Sequence, residues 1–347
     1  MAPRRSPRTP RAFSLVELLV AMAITLALVG LVLQMVNLSS RQWKGTSDHV
    51  RAFQSARVAF ETITRTLGQA TLATEYDYYD ATFRSRQEVL AGGGGTAAAD
   101  PFAPSTYGRF SGLHFISGKA LVSGQHTHAL FFQTLLDFEV PASSLPSGRL
   151  NAVGFFIRYG DDLADRPENV PASLVAPRER FRLLMYCQPT SSLDVYRLPG
   201  GTEWFADDVN AASPVNLRLL AENVVLLCIL PMEPDAAADS LAPGYEYDSR
   251  MAWTGGEQPA PMHQLPPVVR VAMVAIDEAS ALRHPGLGAE LAAWFAQREL
   301  FRDPQKLTGT PEAPGDLTVL ENELARRRIV CRVFQADVPI RSAKWSR

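Results

Sequence analysis

From Leu18 to Ser40 the chain runs for 23 residues without a formal charge, and within Leu18 to Leu33 (LLVAMAITLALVGLVL) only Thr25 is polar. A helix of about 20 such residues spans the hydrocarbon core of a bilayer. A helix of a soluble domain keeps one face in water and rarely goes so far without a charge. A cleaved secretory signal is the competing reading, because a basic n-region before an apolar h-region looks alike. Against it, the run is longer than an ordinary h-region, and Val36 to Trp43 (VNLSSRQW) holds no small-x-small cleavage site. Arg4, Arg5, Arg8 and Arg11 precede the run, and residues 1–12 contain no acid. The positive-inside rule then keeps the N-terminus in the cytoplasm and sends the remainder out of it.

That remainder is large enough to bury a core, since the chain has 347 residues and 46% of them are apolar. Its 34 basic residues nearly balance its 36 acidic ones, for a net charge of -2. With four of the bases in the leading tail, the rest is acidic, which excludes a protein whose main work is neutralising nucleic-acid phosphates.

Glu17 stands alone at the cytoplasmic edge of the apolar run. An ionisable group at that depth is costly and usually has a partner. The segment Arg11-Ala12-Phe13-Ser14-Leu15-Val16-Glu17-Leu18-Leu19 resembles the processing motif of type IV prepilins and type II secretion pseudopilins. The resemblance implies that a prepilin peptidase cuts between Ala12 and Phe13, methylates the new amino terminus, and leaves Glu17 as the fifth residue of the mature chain. Ala12 departs from the family, which nearly always has Gly there, and the departure bears on the efficiency of cleavage. The other reading of Glu17 is an interfacial acid in a plain signal anchor. The motif also has a physical logic. Cleavage removes the four arginines that pin the helix to the cytoplasmic face, and the Glu17 carboxylate can then pair with the Phe13 amino group of a neighbouring subunit.

Beyond the membrane, Phe53, Ala56, Phe60, Ile63, Leu67 and Ala70 recur at helical spacing, with Arg51, Arg57, Glu61 and Arg65 on other faces. This stripe reads as the second half of a long helix lying on a globular sheet, or as a coiled-coil stalk. The helix is expected to fail between Gly68 and Thr74, with loop following at Glu75–Asp80 and at the glycine run 92–95.

Strands are expected at Leu113–Ile116, Ala129–Leu136, Ala152–Tyr159, Phe181–Cys187, Asn223–Leu230, Val268–Ile276 and Ile329–Phe334. Helices are expected at Glu290–Leu300 and Thr318–Arg327, the second opened by a capping box Thr318-x-x-Glu321. The Pro-rich stretches 231–243 and 255–267 read as loops. The fold class is α+β and, by the resemblance, pilin-like: a long N-terminal helix packed on mostly antiparallel sheet. The expected organisation is a basic leader at 1–12, a transmembrane helix at 13–40, its amphipathic continuation at 41–74 and a periplasmic β-rich domain at 75–347. In the C-terminal half, Leu220–Leu227, the Trp-containing segment Tyr247–Trp253 and Leu265–Val274 are similar to the minor pseudopilin J of type II secretion. The extension ending at Trp345 resembles protein C of the Verru_Chthon cassette.

No hydrolase, metalloprotease, phosphate-loop or dinucleotide motif is present. His126 and His128 are spaced to share one strand face, as a metal site needs, but no third ligand is suggested nearby and a solvated turn is the plainer expectation. Asp161, Asp162 and Asp165, and Asp207 with Asp208, lack the ligand spacing of a calcium loop and read as solvated turns. Cys187, Cys228 and Cys331 all fall in apolar runs and are expected as buried thiols, with one disulfide open to them in an oxidising compartment.

The expectation is therefore a non-enzymatic minor pilin or pseudopilin-like subunit with no cofactor and no metal, placed in or at the tip of a periplasmic filament. Its site residues are Ala12 and Phe13 for processing and Glu17 for assembly. Its partners are a prepilin peptidase, other pilins or pseudopilins, an inner-membrane assembly platform and the lipid bilayer. The alternative is a single-pass anchored periplasmic binding or enzymatic domain that keeps its signal.

Overall fold

The computed structural model describes residues 15–92, 102–136, 149–161, 163, 177–196, 201–211, 214–233, 241–310 and 313–345. Ala12, Phe13, Asp162, Asp165 and residues 93–95 lie outside them. Two compact units meet at Val50 and Arg51.

Helix α1 (Leu15–Leu67) is the longest element. It stops where the sequence brings Gly68, whose N–H reaches Thr64 O at 3.0 Å. Ala70, expected on the helical stripe, instead opens strand β1 (Ala70–Thr71).

The second unit follows in order as β2 (Glu75–Tyr79), α2 (Arg86–Gly92), β3 (Thr106–Phe110), β4 (Ile116–Lys119), β5 (His128–Leu136), β6 (Arg149–Gly160) and β7 (Arg180–Gln188). Next come α3 (Glu203–Val209), β8 (Leu217–Glu222), β9 (Val224–Met232), β10 (Tyr247–Asp248), β11 (Val268–Ile276), α4 (Glu278–Arg283) and α5 (Leu287–Arg298). The last elements are β12 (Gly309–Thr310), β13 (Ala313–Pro314), α6 (Asp316–Arg326) and β14 (Cys331–Pro339).

The main sheet runs β10-β4-β5-β6-β7-β8, with β1 on β5 at Ala70↔Thr134, beyond the point where β4 leaves it. A second sheet, β14-β11-β9, lays β9 against β5, β6 and β7 of the first. All the strand pairs among the described residues are antiparallel. One apolar core joins the two sheets, with Phe132, Phe155, Leu227, Ile229, Val271 and Met273 wholly buried. On the other side of the main sheet, α3 supplies Trp204 and Phe205, the latter stacked on Phe131 at 3.8 Å. Gly154, in register with Phe131, leaves room for that ring, which a Cβ would overlap.

The apolar stripe of α1 belongs to this unit's core. Ala56, Ile63 and Leu67 are fully buried, and the Phe60 ring lies 5.7 Å from Phe334 of β14. The helix end therefore packs on its own chain's sheet. The C-terminal segment closes the same joint. Arg341 N–H donates to Gly68 O at 3.3 Å, and the Ser342 hydroxyl donates to Ala70 O.

Several expectations need correction. Leu113–Phe115 is not strand, because its N–H groups are taken by side chains: Leu113 by Ser111 Oγ, His114 by Gln133 Oε1 and Phe115 by Ser249 Oγ. Glu75–Asp80 is not loop through its length, since Glu75–Tyr79 pairs with Thr106–Phe110. Helix α6 begins at Asp316 after Gly315, so Thr318 caps nothing. A capping box exists instead at Ser85 and Glu88, where Ser85 N–H donates to Glu88 Oε2 at 2.7 Å and Glu88 N–H to Ser85 Oγ. Ile329 closes α6 by donating to Leu324 O, after Arg328 turns into the left-handed region, so the last strand starts two residues late.

Candidate functional site

The N-terminal segment is built largely from apolar side chains that no described residue covers. Residues Leu18–Val36 form a span of 19 residues with mean hydropathy 2.5 and no buried share. At about 1.5 Å per residue such a helix is close to the ~30 Å thickness of hydrocarbon. A cylinder apolar all round, with Leu26 69% exposed, needs lipid or other protein around it. Glu17 has helical backbone and lies one residue before the span. Ala12 and Phe13 are outside the described residues, and of the three predicted site residues the structure places the backbone of Glu17.

A second feature was not foreseen. Beside the β2–β3 ribbon, a cavity of about 500 Å³ opens between the segment 82–88 at the start of α2, the end of β3 at Phe110, and the loop that carries Arg250, Trp253 and His263. Tyr79 alternates inward from the ribbon, edge-on to Trp253 at 5.1 Å, and Phe83 lies 4.8 Å from the same indole. Gly108 of β3 permits the approach, since a Cβ there would come within 2.9 Å of the indole. Gln258 seals the ribbon edge by accepting from Arg109 N–H and donating to Arg109 O, both at 2.7 Å. Phe83 and His263, both lining the cavity, have φ of 58° and 55°, a region that non-glycine residues enter at a cost.

The polar wall of this cavity is held from behind. Arg250 Nη2 donates to Gly112 O at 2.6 Å and Val195 O at 3.1 Å. Asp248 Oδ1 receives the Arg250 N–H and meets His114 Nε2, each at 2.7 Å. Burial raises the Asp248 carboxyl, but the bond and charge of His114 outweigh it and leave the group below its usual range. Burial, with the Arg250 charge added, pushes His263 down to about 4, so its ring is neutral at pH 7. The sequence signal for this site is thin. Only Tyr247–Trp253 is singled out by pattern, and its partners lie some 140 residues earlier in the chain.

His126 and His128 take a role that neither expectation covers. His128 Nδ1 accepts from Ile229 N–H at 3.1 Å, and its Nε2 meets Phe301 O at 3.3 Å. Thr127 Oγ1 accepts from Leu227 N–H at 3.1 Å. The segment thus caps the free edge of β9, a row of donors that would otherwise be buried unpaired. Burial pushes His126 to about 4 and His128, also facing Lys119, to about 3. This buried arrangement is not a solvated turn, and among the described residues no group of His, Cys, Asp or Glu could hold a metal. Asp207 and Asp208 lie on α3 rather than in a turn, with Asp208 accepting from the Asn216 amide. The three cysteines are free thiols. Cys228 and Cys331 flank β11 opposite Ala272 and Ile276, and burial pushes the Cys187 thiol up to about 12.

Comparison with known proteins agrees with the first of these sites. Residues 8–33 match the family model described as the prokaryotic N-terminal methylation motif. No curated protein and no solved structure matches the chain. The motif lies across the start of the exposed apolar helix, so the chain carries a prepilin-type N-terminus, which implies processing by a prepilin peptidase and assembly with other pilins, ahead of a helix that fits a single-pass inner-membrane anchor.

Proposed function

We propose that this chain is a minor pilin or pseudopilin-like structural subunit, without catalytic activity, that enters or caps a type II secretion or type IV pilus-like filament. The observation that carries the reading is the methylation motif at residues 8–33 overlapping the exposed 19-residue span Leu18–Val36, of mean hydropathy 2.5. Peptidase cleavage after Ala12 frees the Phe13 amine and removes the arginines that hold the helix in place. The product is an extractable apolar helix followed in the chain by a domain located in the periplasm. The size of that domain favours a tip or initiating subunit over a repeating shaft, in which each subunit must fit beside its copies.

Mass spectrometry of the chain extracted from membranes tests this. The expected N-terminal peptide begins at N-methyl-Phe13, and Ala12→Gly accelerates its appearance. Recovery of the intact N-terminus alone, in a host that processes other prepilins, identifies a plain signal anchor and removes the filament role.

A further inference from the structure

We propose that the cavity beside the β2–β3 ribbon binds a carboxylate carried on an aromatic or branched apolar group, with the acid held by Arg250 and the apolar body by Trp253, Phe83 and Met262. This site does not depend on processing at Phe13. Its volume, about 500 Å³, lies in the range of small-ligand pockets, and its walls combine aromatic rings with charged and polar side chains in nearly equal share.

The acid is assigned from what Arg250 lacks. Nη2 is spent on two carbonyls, while Nη1 is shielded from solvent and has no partner. Among the described residues no carboxylate forms an ion pair with this guanidinium. Asp248 is engaged by His114 and by the Arg250 backbone, and Glu88 by the cap of α2. A largely buried guanidinium with one unpartnered nitrogen and no ion pair is costly, and its planar fork donates well to a carboxylate. His263, only 7% exposed, leaves Nδ1 without a partner at the same cavity and offers a neutral ring to the second carboxylate oxygen. The other arginine on the lining, Arg84, is bound to Asp80, and the charges of Asp248 and Glu88 act on Arg250 without an ion pair, so the site suits a monoanion over a phosphate dianion. Both orphan nitrogens belong to residues that line the cavity and are themselves shielded from solvent. The acid reaches Arg250 by a rotation of the guanidinium that gives up its bonds to Gly112 O and Val195 O, with no ion pair to displace.

Two sources carry this chemistry, a small aromatic acid and the free C-terminus of a polypeptide ending in an apolar residue. Calorimetric titration of the full-length chain in lipid nanodiscs separates them, with protein-free nanodiscs subtracted. The probes are phenylacetate against phenylacetamide, and a pentapeptide ending in Phe as free acid against its C-terminal amide. At least one acid is expected to bind, its amide at least tenfold more weakly, and the acid that binds identifies the source. Arg250→Gln should abolish the preference for acid over amide, and Arg250→Lys should keep part of it. Because Arg250 also holds two carbonyls, the acid-to-amide comparison on the unaltered chain decides the matter independently of any folding defect. Equal affinity of acid and amide, or no heat from any of the four probes, overturns the proposal.

Discussion

Glu17 shows how much one side chain can constrain. A lone carboxylate at the lip of an apolar span is tolerated when a cation neutralises it, and in low dielectric the lost charge matters more than the lost shape. Glu17→Gln is therefore expected to leave cleavage and folding intact while cross-linking to partner pilins falls several-fold, with Glu17→Asp intermediate. Equal cross-linking by the Gln variant refutes the pairing with Phe13. The buried histidines make a second prediction at this scale. Below about pH 6.5 the unfolded chain takes up protons that the folded chain refuses until about pH 4 at His126 and His263 and about pH 3 at His128. Their contribution is complete above pH 6.5 and is lost as pH falls through that window, at about 1.4 kcal/mol per unit for each histidine. Urea midpoints should drop steadily from pH 7 to pH 5, and less steeply in His128→Gln; a flat midpoint over that range shows that these rings are not held neutral. Nothing in the triplet His126-Thr127-His128 announced this role, because the donors it caps are on a strand about 100 residues away.

The elements differ in how openly the chain declares them. Val268–Ile276 was readable to the residue, since an apolar run after Pro266 and Pro267, broken only by Arg270, suits a strand covered on both faces. The β2–β3 ribbon was hidden. Its Tyr-rich, acidic first strand reads as a loop, and its partner begins 26 residues after that strand ends. Its alternation is real, with Tyr76 and Tyr78 exposed and Tyr79 buried, but only the fold says which side is in. The main sheet supplies an element-scale test. Gly154→Ala drives a methyl into the Phe131 ring, itself locked against Phe205, and such overpacking costs about 1–3 kcal/mol. Thermal unfolding should shift down by several degrees, and Phe131→Leu should restore part of the loss; an unchanged melting point shows that the ring can move aside freely.

For the whole molecule, an apolar helix followed by a mostly antiparallel α+β domain could be foreseen, because span and strand runs are properties of local composition. The cavity could not, because Phe83, Arg250 and His263 meet only through the tertiary fold. The proposed orientation, a single span with its domain outside the cytoplasm, rests on the charge asymmetry and makes a direct prediction. A reporter active only in the periplasm, fused after residue 80, should work, and an active cytoplasmic reporter at that point reverses the orientation. The joint between the end of α1 and the C-terminal segment carries a consequence for biogenesis. Ser342 and Ala70 are 272 positions apart, yet together with Arg341 and Gly68 they fasten the helix to the sheet. A ribosome releases the second partner long after the first, and loop closure over such a separation is slow. In the proposed orientation the domain stays unfastened at this joint until nearly all of the polypeptide has been exported, and a chain stalled before β14 leaves the edge of β11 open to neighbouring strands and proteases.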